Sequence, residues 1–227
     1  VIQQPRRRRP TRAGTQLSAD AILDTAVRLS AEHGPEALSV RRLGLALGCD
    51  PSALYRYFRD TDDLMLAMAD RLIGIGMAGF TPGPDWVATL REMGRRVYRV
   101  FQDHPRIAGL ASARVTRREN EFRAVEIGLT AFRDAGFAPA DAVRLYLAFI
   151  DSVLGLATLD ATARALPAGR HAADDAAWTQ AYQRLPAATY PTISGLRAEL
   201  AARSGSSFPD ALELLLAALI AHPDRAR

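Results

Sequence analysis

Residues 38–66 read LSVRRLGLALGCDPSALYRYFRDTDDLML, and they decide the fold. Ser39 is a helix-capping residue, and Val40, Leu43 and Leu47 behind it recur on one helical face. Gly48 ends that segment, because glycine accepts the positive φ that a sharp exit from a helix demands. Asp50 caps a second short helix with Pro51 at its first position, where a missing N–H costs nothing. Two short helices joined by a tight turn make a helix-turn-helix, whose second helix can enter a major groove. Arg41, Arg42, Arg56 and Arg59 flank the turn, and Ser52, Tyr55 and Tyr57 offer hydroxyls. A small helical hairpin with a solvated basic face fits the same pattern, so the spacing alone leaves DNA binding open.

The run Leu54-Tyr55-Arg56-Tyr57-Phe58, with Asp60 and Asp62-Asp63-Leu64 after it, narrows the choice. It resembles the L-Y-x-H/Y-F-x-[ND]-K-[DE]-x-L signature of TetR/AcrR-family transcriptional regulators. Ile22 to Gly34 and Leu38 to Gly44 are similar to that family's first helix and the start of its second. The resemblance implies an all-α protein in which a three-helix helix-turn-helix domain joins a larger helical ligand-binding and dimerisation domain. It also implies a homodimer, a palindromic double-stranded DNA operator and a small-molecule effector that releases a repressor from that operator. Thr61 stands where the family carries a phosphate-touching lysine, which moves that contact towards Arg59 or the N-terminal arm.

On this reading Ser52 and Arg56 meet base edges, while Ser39, Arg41 and Arg42 work at the start of the preceding helix. Tyr55 and Tyr57, at the family's aromatic positions, are expected on phosphate, with Thr61 beside them. Residues 1–16 hold Arg7, Arg8, Arg9 and Arg12 among prolines and almost nothing apolar. Such a segment reads as a disordered basic arm that lies along the duplex, or as a solvated tail. Net charge agrees: residues 1–59 carry +5 and the remainder −1. All 29 basic residues are arginine, in neutral regions as well as basic ones, so the bias carries no functional weight.

The domain boundary falls near residue 72, with 17–72 as the DNA-binding domain and 73–227 as the second domain. Gly74, Gly76 and Gly79 beyond it mark either a frayed joint or a plain helix end. The rest is helical in period, with no convincing strand. Segments 140–159 and 209–222 are apolar nearly all round and need cover on two sides. A second copy supplies it in an intermolecular four-helix bundle, through Ala148, Ser152 and Gly155 and through Leu212, Leu215, Leu216 and Leu219. Candidates for an apolar ligand pocket are Phe101, His104, Phe122, Tyr146, Phe149, Asp151 and Trp178. Asp151 is also a candidate for a structural pairing, across the dimer or with Arg144 seven residues before it, and residues 167–191 are candidates for a cover over the cavity entrance.

Other chemistry is not in evidence. The four histidines are too scattered for a metal motif, HExxH, CxxC, GxSxG and P-loop are absent, and Gly74, Gly76 and Gly79, though spaced as GxGxxG, follow no strand as a dinucleotide fingerprint would. No cofactor, metal or catalytic role is expected. The lone Cys49 sits in the helix-turn-helix turn and reads as a partly buried filler in a reducing cytoplasm, or as a redox sensor. The longest unbroken apolar run, Leu214 to Ala221, is too short to cross a bilayer, and no secretory pattern opens the chain. The remaining alternatives are a non-specific DNA-binding protein and an enzyme or carrier with an incidental helix-turn-helix.

Overall fold

The computed structural model describes residues 17–34, 38–202 and 205–223, and every described element is helical. Arg7, Arg8, Arg9 and Arg12 of the expected basic arm lie outside these residues. Helix α1 (Ala19–His33) starts where Ser18 Oγ accepts from the Ala21 amide at 3.1 Å. Helix α2 (Val40–Leu47) starts on Ser39 Oγ, which accepts from the Arg42 amide at 3.2 Å. A 3-10 turn of helix at Pro51–Arg56, the reading helix, completes the hairpin. Helix α3 (Thr61–Met77) begins behind Asp60 and complements its own dipole with Asp62 and Asp63. Ile22, Ala26, Leu43, Leu54, Phe58, Leu64 and Met68 form the core that joins these elements.

Helices α4 (Trp86–Asp103), α5 (Ala108–Ala113), α6 (Glu119–Asp134) and α7 (Pro139–Arg164) build the second body, closed by α11 (Phe208–Ile220). Leu90, Met93, Phe132, Phe137, Phe149, Val153, Leu212 and Leu216 fill its centre. The two cores are not separate. Val100 and Phe101 of α4, Ile107 and Ala108 at α5, and Ala157 and Ala161 of α7 belong to the cluster that holds α1 to α3. Motion of α3 is therefore felt in the second body through direct packing.

Several expectations change. α3 does not fray at Ile73 but runs to Met77 across the expected boundary. A Cβ on Gly74 would stand 2.9 Å from the Asn120 side chain, so the glycine lets α3 lie close to α6. α5 begins at Ala108, and the Ile107 and Ala108 amides before and at its start both close on His104 O at 3.0 Å. Residues 167–191 do not cover the cavity. Helix α8 (Arg170–Gln183) buries no residue and pairs with α9 (Pro191–Gly195) and α10 (Arg197–Ala202) as a separate arm.

The expected dimer leucines also need correction. Leu212, Leu216 and Leu219 are buried in the protomer's own core and Leu215 is half-buried. The outward apolar side of α11 is instead Leu214, 71% exposed, with Ala217, Ala218 and Ile220. On α7, Ala148 and Gly155 are exposed as expected, Ser152 is half-buried, and Leu159 is exposed beside them. Among the described residues α7 alone, with a mean hydropathy of 1.6 over its most apolar window, is long and apolar enough to cross a membrane. Its inner face is spent on packing against α4, α5, α6 and α11.

Candidate nucleic-acid interface and internal cavity

The reading helix is positioned by its own turn. Gly48 sits at φ 63°, in the left-handed region, and sends the chain back under α2. A Cβ on Gly44 would meet Cys49 O and Pro51 Cγ at 3.0 Å, so the glycine lets the turn pack tightly against α2. Asp50 Oδ1 then accepts from the Ser52 amide at 2.8 Å and the Ser52 hydroxyl at 2.6 Å. These bonds, the hydroxyl's foremost, hold the Asp50 carboxyl below its usual range. Leu54 and Phe58 anchor the inner side. Ser52, Tyr55 and Arg56 are left exposed on the outer side, and Ser39, Arg41 and Arg42 are exposed at the start of α2. Thr61 is exposed at the start of α3. Leu45, one turn beyond Arg41 and Arg42, is exposed as well. It supplies an apolar tip of the kind that meets a thymine methyl, and the sequence reading did not single it out.

Tyr57 is half-buried and already engaged within the protein. Its hydroxyl donates to Leu17 O at 2.7 Å and ties the approach to α1 onto the reading helix. Cys49 is half-buried, and burial foremost, then Asp50, pushes its thiol up, which suits a filler better than a reactive thiolate.

A polar clasp joins α3 to the segment before α6. Asp60 Oδ1 accepts from the Asp63 amide at 2.8 Å, and Asp63 Oδ2 accepts from the Arg59 amide at 3.0 Å. Asp63, only 8% exposed, also receives Arg118 Nη2 at 2.6 Å. The Arg59 amide is the main cause that holds the Asp63 carboxyl below its usual range, with the guanidiniums of Arg59 and Arg118 adding to it. Arg114 Nη2 donates to both oxygens of Asp62 at 2.8 and 2.9 Å. Buried Asp70 accepts from Asn120 Nδ2 at 2.8 Å and the Glu121 amide at 3.0 Å. Thr116 Oγ1 lies 3.1 Å from Asp70 Oδ1 and 2.7 Å from Glu121 Oε2, and its one proton serves one of them at a time. Arg117, at φ 57°, is held in the left-handed region by its amide bond to Glu121 Oε2 at 2.6 Å.

The far side of the same segment walls a cavity of about 280 Å³. Met93, Val97, Phe101, Val125, Ile150 and Leu154 make it apolar, and Arg114, Glu121, Tyr146 and Asp151 supply polar groups beside Ser112, whose hydroxyl donates to Gly109 O at 3.2 Å. Of the expected pocket residues, Phe101, Tyr146 and Asp151 are here. Phe149 is not: it packs edge-on to Phe132 at 6.3 Å between centroids, inside the core. Phe122 is 57% exposed on the outer side of α6, and Trp178 stacks on Tyr182 at 4.1 Å in the arm. His104 ends α4 outside the lining, with Nδ1 buried and unpartnered among the described residues. Within the protomer Asp151 does not pair with Arg144, which turns to Asp141 at 2.8 Å. Arg114 and Glu121 were missed, since five charged residues among 114–121 read as a solvated face.

Tyr146 reaches the cavity because Gly128 leaves room for it. A Cβ on Gly128 would lie 2.2 Å from Tyr146 Cε2. Burial foremost, then Glu121 and Asp151, pushes the phenol up to about 12, so it stays protonated.

Residues 22–68 match the bacterial regulatory proteins of the tetR family, and residues 80–222 match the tetracyclin repressor-like C-terminal domain. An HTH-type transcriptional regulator of Saccharopolyspora erythraea is 28% identical over 183 residues, covering 79% of this chain and 74% of the relative. An HTH-type transcriptional repressor of Mycobacterium tuberculosis is 28% identical over 163 residues, covering 69% of this chain and 62% of the relative. The crystal structure of the Streptomyces coelicolor TetR family protein ActR in complex with actinorhodin has the same fold. The TM-score is 0.77 at 24% identity, over 91% of this chain and 98% of that one.

Proposed function

The chain belongs to the TetR family of bacterial regulatory proteins, and from that premise we propose that it is a homodimeric repressor released from its operator when a small molecule fills the cavity. The clasp carries this reading. Arg114 and Glu121 line the cavity on one side, and the segment they bound grips Asp62, Asp63 and Asp70 of α3 on the other. Asp63 is in turn bonded to the Arg59 amide, immediately after the reading helix. A molecule that displaces the wall pulls on α3 and re-aims the reading helix.

Two copies would pair through the outward faces of α7 and α11, where Ala148, Gly155, Leu159, Leu214 and Ala217 lack cover. The paired reading helices would then enter successive major grooves of a palindromic site, with half-sites about 34–36 Å apart. Ser52 and Arg56 take base edges, with Ser39, Arg41, Arg42, Tyr55 and Thr61 around them. Arg7, Arg8, Arg9 and Arg12 add phosphate contacts along the strand. Occupancy of cavity and operator would oppose each other through one coupling free energy of about 1–3 kcal/mol. This work would be done on duplex DNA in the cytoplasm.

The relative named a repressor and the neighbour solved with actinorhodin support the two halves of the reading. Selection of bound duplexes from a random pool tests it. The expected result is a two-fold symmetric sequence with half-sites one helical turn apart. Salt-sensitive binding with no sequence preference would instead support a non-specific DNA-binding protein.

A further inference from the structure

We propose that the cavity selects a cationic amphiphile, whose apolar body lies along Met93, Phe101 and Leu154 and whose protonated amine sits between Tyr146, Glu121 and Asp151. The inference rests on the proposed function and names the chemistry of its effector.

The first observation is the phenol. Tyr146 is 4% exposed, lines the cavity, and its hydroxyl has no hydrogen-bond partner among the described residues. An occupant that fills the cavity must hydrogen-bond this oxygen or leave it cut off from water and unpaired, which is costly. The second is the charge of the wall. Its one cation, Arg114, is neutralised by Asp62 through bonds of 2.8 and 2.9 Å. Two guanidiniums close by in sequence are also engaged, Arg118 by Asp63 at 2.6 Å and Arg144 by Asp141 at 2.8 Å, and neither they nor Arg117 line the cavity. That leaves Glu121 and Asp151 as carboxylates facing the cavity, and Asp151 forms no ion pair among the described residues.

An anionic head group would meet two carboxylates and an already paired arginine. A neutral apolar molecule would bury Tyr146 without satisfying it. An ammonium matches all three groups: it donates to the phenol oxygen and to the carboxylates, and its charge is compensated where the surroundings are apolar. Tyr146 remains a neutral phenol at working pH, so its oxygen accepts without adding charge.

The test uses three probes of equal chain length: octylammonium, 1-octanol and octanoate. Each is titrated by calorimetry into the full chain and then into its complex with the selected duplex. Octylammonium is expected to bind at least about tenfold more tightly than octanol, the worth of one charge-assisted hydrogen bond, with octanoate weakest. Asp151→Asn and Tyr146→Phe should each remove about that tenfold while they change octanol affinity little. Asp151 is exposed and unpaired, so its variant should melt as the parent does. Octanol or octanoate binding as tightly as octylammonium, with release of the duplex, would overturn the charge preference and leave the ligand-responsive reading standing. Failure of all three to bind or to release the duplex would strike the cavity's proposed role and this inference with it.

Discussion

Replacing Gly128 with alanine tests whether the cavity's polar end is built as described. An ideal Cβ there would lie 2.2 Å from Tyr146 Cε2 and 2.7 Å from Cδ2. Carbon atoms rest about 3.5–4.0 Å apart, so the ring must retreat by more than an ångström. It is rigid, 4% exposed and edge-on to Phe132 at 6.3 Å, which leaves the cavity as the open direction. Overpacking of this kind costs about 1–3 kcal/mol. A chain of this size loses about 2–4 °C per kcal/mol, so the melting temperature should fall by roughly 2–12 °C. The ring should also fill part of the cavity and blunt the response of DNA binding to octylammonium. Scanning calorimetry, with a fluorescence-anisotropy titration of the duplex, reads both effects. Gly109→Ala is the control, because nothing lies within 4 Å of its added Cβ. A Gly128→Ala protein that melts as the parent does and responds undiminished would refute the packing argument.

Tyr57→Phe should lower stability by about 0.5–1.5 kcal/mol, the worth of the bond to Leu17 O. DNA affinity corrected for that loss should be unchanged, and an altered salt slope of binding would return Tyr57 to the phosphate. Leu214→Glu should yield monomers by analytical ultracentrifugation, since it places charge on the outward face of α11, whereas a stable dimer would remove that face from the interface. The lowered carboxyl of Asp63 stabilises the fold above its unfolded value of 3.8, and this contribution is lost as pH falls from there through the folded value. Asp63→Asn should therefore flatten the acid limb of the melting-temperature profile, and superimposable profiles would show that the clasp does not hold α3.

What the sequence made legible is local. Ser39 and Asp50 cap the helices expected of them, because a cap needs only its own next residues. The outer face of the reading helix followed from Leu54 and Phe58 turning inward. What stayed hidden depends on distant partners. Tyr57 bonds to a carbonyl 40 residues away, and spacing cannot announce that. α11 is apolar on every side, so no period chose between Leu212 and Leu214. Arg114 and Glu121 look like solvated charges until α3 brings Asp62 and Asp70 to them. Asp151 was offered Arg144, but Asp141 lies nearer to that guanidinium along the helix.

The central claim is that Ser52 and Arg56 read sequence from the exposed side of a short helix. The most direct measurement is the ratio of affinities for the selected palindrome and a scrambled duplex at one salt concentration, for the parent, Ser52→Ala and Arg56→Ala. The parent should prefer the palindrome by a factor of roughly 10³ or more, and each variant should lose about 1–3 kcal/mol of that preference while still binding the scrambled duplex. Equal ratios in all three proteins would contradict the account.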